Sequence, residues 1–199
     1  NSTLELDEVI NRVLNAITRV LPSKLASIML IEGEYARIAH YVGYDELLPD
    51  VSYLQNLRVE IKTTRNLYWM IDNHKSLVIP DVHEYEGWLR LSESNWILSY
   101  IGAPILVEDK VIGFINMDYP ESNRFTQSHA DQLMAFANQA GIAIQNARLH
   151  EAIRRYADEL EKRVQERTAQ LTLVNNQLLE QITERQKIEA QLDEERNLL

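Results

Sequence analysis

The sequence predicts an α+β fold, with a central antiparallel sheet of about six strands, helices on both of its faces, and a long C-terminal helix after it. Short apolar runs between residues 25 and 119 are joined by tight turns, as in antiparallel hairpins. All six glycines and all five prolines lie at or before Gly141, so the 58 residues after it contain no helix breaker. We therefore predict a globular domain over residues 1–149 and a coiled-coil helix over residues 150–199.

The N-terminal third of the globular part predicts one helix and three strands. Apolar residues recur at helical spacing over residues 4–21, and a proline follows them. The β-rich runs 25–31 and 35–41 flank the turn 32–34, which predicts a hairpin. Apolar and charged residues alternate around Val59, which predicts a half-buried third strand.

The middle of the chain is less regular. Residues 66–73 predict a short helix, and residues 77–79 predict a brief strand that ends at a proline. Residues 81–99 have no long period and contain Trp88 and Trp96. We therefore expect this segment to be irregular.

A second hairpin and the start of the last helix complete the globular part. The runs 101–107 and 111–119 are separated by a charged turn, which predicts two more strands. Thr126 or Ser128 can cap a helix that begins near Gln127.

The C-terminal segment has the composition of an exposed helix. Residues 151–199 carry 11 acidic and 8 basic side chains, too many for a buried core. Apolar positions recur at alternating steps of three and four, which is a heptad pattern. Its late positions are Leu171, Val174, Leu178, Gln181, Arg185, Ile188, Leu192, Glu195 and Leu199.

This pattern favours a parallel two-stranded coiled coil, and hence a homodimer through the C-terminal helix. A single solvated helix and antiparallel or higher-order packing remain alternatives. An earlier part of the seam runs through Leu149, Ile153, Tyr156 and Leu160. An extra step of four residues, a stutter, follows Leu160 and locally unwinds a supercoil.

Composition excludes several classes of function. The chain has no cysteine, which excludes disulfides, cysteine-ligated zinc and thiolate nucleophiles. A net charge of −10 argues against nucleic-acid binding, and no apolar run is long enough for direct membrane insertion. We expect a cytoplasmic protein. Because the chain begins with Asn1 rather than methionine, we also expect a fragment of a longer protein.

Several motifs occur in the order found in one family. They are residues 27–30 (SIML), 78–82 (VIPDV), 99–105 (SYIGAPI), 111–118 (VIGFINMD), 125–126 (FT) and 136–149 (FANQAGIAIQNARL). Together they resemble a GAF domain, and the resemblance covers residues 4–149. It implies a GAF-like sheet and a sensory or regulatory role.

The charged helix resembles a second known element. Residues 160–171 (LEKRVQERTAQL) and 182–189 (ITERQKIE) are similar to the signalling-helix linker that joins sensor modules in bacterial histidine kinases. The resemblance implies a two-component system, with a downstream PAS or kinase module in the same chain. A small molecule bound by the GAF domain would then bias the paired helices. One alternative is a ligand-free dimerisation and relay module, and another is a small-molecule enzyme without a recognisable motif.

The resemblance also implies a ligand pocket between residues 81–99 and the sheet. The candidate pocket residues are Met29, Tyr41, Asp81, Trp88, Trp96, Ser99, Tyr100 and Asn116. The alternative is that these aromatic residues only close the core. Asn116 and Asp118 share strand parity with Phe114, so if that face is inward both polar groups are buried and need partners, which a ligand could provide.

No catalytic residue, metal site or cofactor is predicted. His150-Glu151 begins like a phosphoacceptor box but lacks its proline, and no pattern marks a haem-ligating histidine. Bilin attachment and the free methionine sulfoxide reductases of this superfamily both use cysteines. Of the cyclic-nucleotide pattern, Asn116 and Phe125 match, but the lysine position holds Met117.

Overall fold

The computed structural model describes residues 2–48 and 50–197, and the surroundings of side chains in 7–48 and 50–190. The elements, in chain order, are α1 (Ser2–Val20), β1 (Ala26–Glu32), β2 (Tyr35–Val42), α2 (Ser52–Asn56), β3 (Arg58–Glu60), α3 (Arg65–Asn73), β4 (Leu77–Ile79), β5 (Ser99–Val107), β6 (Lys110–Tyr119) and α4 (Gln127–Asn197). Single 3-10 turns lie at Tyr44–Glu46 and Ser92–Ser94. The chain divides into two compact units, one up to Leu149 and one from His150 onward.

The six strands form one sheet in the order β3-β2-β1-β6-β5-β4, with every neighbouring pair antiparallel. The predicted α+β class and the six-stranded antiparallel sheet are therefore confirmed. The β5–β6 hairpin closes through Glu108 and Asp109, with φ of 50° and 61°. Positive φ at both loop residues matches a right-handed twist between the strands, which explains the tight connection.

Helices cover both faces of the sheet, as predicted. On one face, α1 and the first turns of α4 pack against the sheet through side chains such as Leu14, Ile17 and Leu133. On the other face, α2, α3 and the irregular segment 81–97 cover a second apolar cluster. The alternation along β6 places Met117 in the first layer and Phe114 in the second.

Two features of the sequence explain how α4 begins and where it packs. Thr126 accepts a hydrogen bond from the backbone N–H of His129 at 3.4 Å, so it provides the predicted cap. Gly141 brings α4 against β5, because a Cβ on Gly141 would lie 2.2 Å from the carbonyl oxygen of Leu106.

Gly141→Ala is expected to destabilise the domain by about 1–3 kcal/mol, since the added methyl must move either the helix or a strand backbone. Urea denaturation measures the change. At an exposed helical site the same substitution stabilises by about 1 kcal/mol, so the sign of the effect is decisive. Asn138→Ala, at an exposed position one turn earlier, is the control. A Gly141→Ala variant at least as stable as the parent would contradict the close approach.

Three short elements were not predicted, α2 and the 3-10 turns at Tyr44–Glu46 and Ser92–Ser94. The other predicted helices and strands agree with the structure within a few residues. Among the described residues, no helix is both long enough and apolar enough to span a membrane.

The unit from His150 onward is the continuation of α4 as a charged helix. Its apolar seam is exposed in a single chain, with Ile153, Tyr156, Leu171 and Leu178 at least half exposed. Side-chain surroundings are not described at Leu192 and Glu195, and Leu199 lies outside the described residues. Pairing of two such helices stays a prediction.

Candidate functional site

A cavity of about 110 Å³ lies on the face of the sheet covered by α2, α3 and the irregular segment. Its floor is formed by side chains of β1, β2, β3, β5 and β6. Its walls come from α2, α3, the Tyr44 turn and residues 88–97. Because a buried water needs roughly 10–15 Å³, the cavity has room for several waters or one compact organic molecule.

Two tyrosines hold the polar side chains of the floor. Tyr44 donates a hydrogen bond from its hydroxyl to Oδ2 of Asp118 at 2.5 Å. Tyr100 donates to Oδ1 of Asn116 at 2.6 Å. All four side chains are buried and line the cavity. This face of β6 is therefore the inward one. Asn116 and Asp118 are buried there, and each has one tyrosine hydroxyl as its partner.

A glycine makes room for the second of these contacts. Gly102 lies opposite Asn116 in the β5–β6 ladder. A Cβ on Gly102 would lie 2.1 Å from the Tyr100 hydroxyl oxygen. Because Gly102 has no side chain, the Tyr100 ring can lie over it and its hydroxyl can reach Asn116 on the neighbouring strand.

Asp118 is a buried carboxylate without a cationic partner. Its side chain is 7% exposed, and among the described side chains no Lys, Arg or His lies within ion-pairing distance of it. Burial raises the pKa of Asp118 to about 6, and the hydrogen bond from Tyr44 opposes that rise. The group is therefore ionised at neutral pH at a free-energy cost to the fold.

The neighbouring phenols remain protonated donors. Burial raises the pKa of Tyr44, and the charge of Asp118 raises it further. Burial, followed by the same charge, raises the pKa of Tyr53 to about 12. Burial also raises the pKa of Tyr100. Among the described lining residues, Asp118 is consequently the one group that titrates near neutrality.

A third polar side chain faces the cavity from α3. Asn66 is 6% exposed, lines the cavity, and its Oδ1 has no hydrogen-bond partner. An unpaired buried acceptor of this kind costs about 1–3 kcal/mol. Water or a ligand that donates a hydrogen bond would remove that cost.

Aromatic rings form much of the remaining wall. Trp88 and Tyr100 pack edge to face, with their ring centroids 5.2 Å apart. Tyr44 and Tyr53 complete the set of cavity-lining rings. Trp96 packs behind this layer, edge to face against Tyr44 with centroids 6.0 Å apart.

The structure brings half of the predicted pocket residues together. Met29, Trp88, Tyr100 and Asn116 all line the cavity. Each comes from a different element or from the irregular segment, so their meeting depends on the fold as a whole.

The other four predicted residues do not line the cavity. Tyr41 packs against Tyr44, with centroids 6.1 Å apart. The indole N–H of Trp96 donates to the carbonyl of Glu93, and Ser99 donates to the carbonyl of Glu121.

Asp81 is occupied elsewhere. Its carboxylate accepts hydrogen bonds from the backbone N–H of His83 at 2.8 Å and from the Ser122 hydroxyl at 2.9 Å. These bonds lower the pKa of Asp81. They indicate a loop-fixing role for the side chain.

The predicted pocket set omitted Asp118, Asn66, Tyr44 and Tyr53. Strand parity on β6 was the signal for Asp118, since it shares a face with Asn116 and Phe114. Asn66 opens a predicted helix, where a polar residue is ordinary. Tyr44 and Tyr53 lie in a stretch without periodicity, so nothing in the sequence marked them as inward.

The model of the GAF domain family matches residues 3–145. The match covers well over half of the chain, and this chain belongs to the GAF domain family. GAF domains are typically regulatory. No curated protein matches the sequence significantly.

Solved structures support the fold. A GAF domain/HD domain protein from Geobacter sulfurreducens is 13% identical with a TM-score of 0.63, covering 73% of this chain and 95% of that one. The type II free methionine-R-sulfoxide reductase from Thermoplasma acidophilum is 15% identical with a TM-score of 0.56, covering 71% and 96%. A domain of a putative two-component sensor histidine kinase from Sinorhizobium meliloti 1021 is 22% identical with a TM-score of 0.59, covering 74% and 97%.

Proposed function

We propose that this chain is the sensory module of a multidomain signal-transduction protein, a cytoplasmic sensor histidine kinase, and that the module binds a small molecule. The fragment itself is not catalytic in this proposal. The GAF family supports a regulatory role. The similar domain from a putative sensor histidine kinase supports the kinase context.

The observation that carries the ligand-binding proposal is the polar floor of the cavity. A buried carboxylate without a cation and an unpartnered amide oxygen both line one cavity of otherwise apolar and aromatic side chains. Neither group stabilises a core, because a buried charge without a cation and a buried acceptor without a donor each cost free energy. Ligand sites combine the same features, an apolar wall and a few convergent polar groups.

The relay proposal rests on α4. Its first part contributes buried side chains to the domain core, such as Leu133, Ala137 and Ile144. Its later part carries the exposed heptad seam from Ile153 to Ile188. In this proposal two copies pair through that seam, and a PAS or kinase module of the same chain receives the signal. Neither nucleic acid nor direct membrane insertion is part of it.

Native mass spectrometry of the purified chain, compared with its denatured mass, tests both proposals. We expect a doubled mass from the paired helices, and an added non-covalent mass when a ligand is retained. A bare monomer at a protein concentration well above the dissociation constant of a stable coiled coil would overturn the relay through paired helices. If thermal shift detects no binding of any compound from a broad metabolite panel, the ligand-binding proposal is wrong and the cavity has only a structural role.

A further inference from the structure

The charge of the cavity selects the kind of ligand. Among the described lining residues, Asp118 is the one carboxylate, and no Lys, Arg or His is present. The cavity therefore carries one uncompensated negative charge at neutral pH. An anionic ligand would add a second charge of the same sign to a buried site, which is strongly unfavourable.

The hydrogen-bonding capacity of the floor points the same way. The hydroxyls of Tyr44 and Tyr100 are already used as donors, to Asp118 and Asn116 respectively. Two acceptors of the floor keep spare capacity, the carboxylate of Asp118 and the unpartnered Oδ1 of Asn66. Both are satisfied by a ligand that donates N–H bonds.

The wall is suited to a cation with an apolar body. Four aromatic rings line the cavity, from Tyr44, Tyr53, Trp88 and Tyr100. The faces of such rings attract a positive charge by about 0.5–2 kcal/mol when water is excluded. Aliphatic side chains such as Met29 and Leu54 complete the lining and can contact a hydrocarbon group.

We propose that this cavity binds a compact organic amine in its protonated form, with the ammonium against Asp118 and the hydrocarbon part among the aromatic rings. The inference rests on the proposed sensory function and names the class of its ligand. It also excludes the corresponding amino acid, because no basic side chain among the described lining residues would receive the α-carboxylate.

Three probes with one hydrocarbon body test the charge requirement: 2-phenylethylamine, 2-phenylethanol and phenylalanine. Binding is followed by isothermal titration calorimetry and by tryptophan fluorescence, since Trp88 lines the cavity. We expect the amine to bind at least about tenfold more tightly than the alcohol and the amino acid, because a hydrogen bond to a charged group usually contributes that much to affinity. Equal binding of amine and alcohol would overturn the proposal.

Variants of two aspartates test the position of the cation. Asp118→Asn removes the charge of the floor and keeps an acceptor for Tyr44, and we expect it to weaken amine binding about tenfold or more. Asp81→Asn is the matched control, because Asp81 is an aspartate of the same domain that lies outside the cavity lining. Unchanged amine affinity in Asp118→Asn would overturn the proposal.

The pH dependence gives an independent readout. The titratable groups that face Asp118 are the phenols of Tyr44, Tyr53 and Tyr100, and burial keeps all three protonated. Amine binding should therefore weaken as Asp118 becomes protonated below about pH 6, and Asp118→Asn should lose this dependence. A flat profile in the parent chain would contradict the ammonium–carboxylate contact.

Failure of this inference is distinguishable from failure of the proposed function. If native mass spectrometry finds a retained neutral or anionic small molecule, the amine assignment is wrong and the sensory function stands. If the chain retains no ligand and also takes up no compound from the metabolite panel, both proposals fail.

Discussion

Asp118→Asn is expected to stabilise the ligand-free domain by up to about 3 kcal/mol at neutral pH. The pKa of Asp118 is about 6 in the folded chain against a usual value of 3.8, and each of these roughly two units corresponds to about 1.4 kcal/mol. The neutral amide avoids the cost of a buried charge. It also keeps an oxygen that can accept the hydrogen bond of Tyr44. Urea denaturation of both proteins at neutral pH measures the difference.

The sign of the pH dependence follows from the raised pKa. Between about pH 4 and pH 6 the folded chain holds a proton on Asp118 that the unfolded chain has released. Stability of the parent therefore falls as the pH rises through this window, and the penalty is complete above it. Asp118→Asn should lack this contribution, so the two stability curves should converge near pH 4 and separate by pH 7.

Asp81→Asn controls for a general effect of removing an aspartate. The pKa of Asp81 is lowered by the hydrogen bonds from His83 and Ser122, so its charged form is favoured in the folded chain. Removing that charge should not stabilise the domain. If Asp118→Asn is less stable than the parent at neutral pH while Asp81→Asn is unchanged, Asp118 is a structural residue and not a group held at a cost.

The sheet could be predicted from the sequence because each of its signals is local. Alternation around Val59 and the two tight turns identify strands without knowledge of their partners. The helix α2 was missed because five residues are too few to show a helical period. The 3-10 turn that carries Tyr44 was missed for the same reason.

The cavity was only partly predictable because its lining is assembled from distant parts of the chain. Parity places Asn116 and Asp118 on one face of β6, but which face is inward depends on what covers it. Trp88 and Trp96 lie in the same irregular segment, and only the folded backbone shows that Trp88 lines the cavity whereas Trp96 packs behind Tyr44. Composition and spacing carry no information on that difference.

Leu178→Lys is expected to weaken dimerisation by roughly two orders of magnitude or more. Leu178 lies on the heptad seam and is 50% exposed in the single chain, so pairing would bury it. Each dimer would lose two buried leucines, at about 1.5–3 kcal/mol each, and would place two ammonium groups in the seam. Sedimentation velocity over a concentration series measures the change in dissociation constant.

Leu173→Lys is the matched control, since it makes the same substitution on the same helix at an exposed leucine outside the seam positions. A parallel coiled coil leaves this position at its outer surface, so the control should dimerise as the parent does. If both variants weaken dimerisation equally, charge on the helix matters and the register of the seam is wrong. If neither does, the copies meet elsewhere, and a signal from the cavity cannot reach its output through paired helices.

The seam already contains Gln181 and Arg185, and polar core residues lower the stability of a coiled coil while restricting its register. A weakly held pair suits a relay, because a ligand worth a few kcal/mol can then change the arrangement of the two helices.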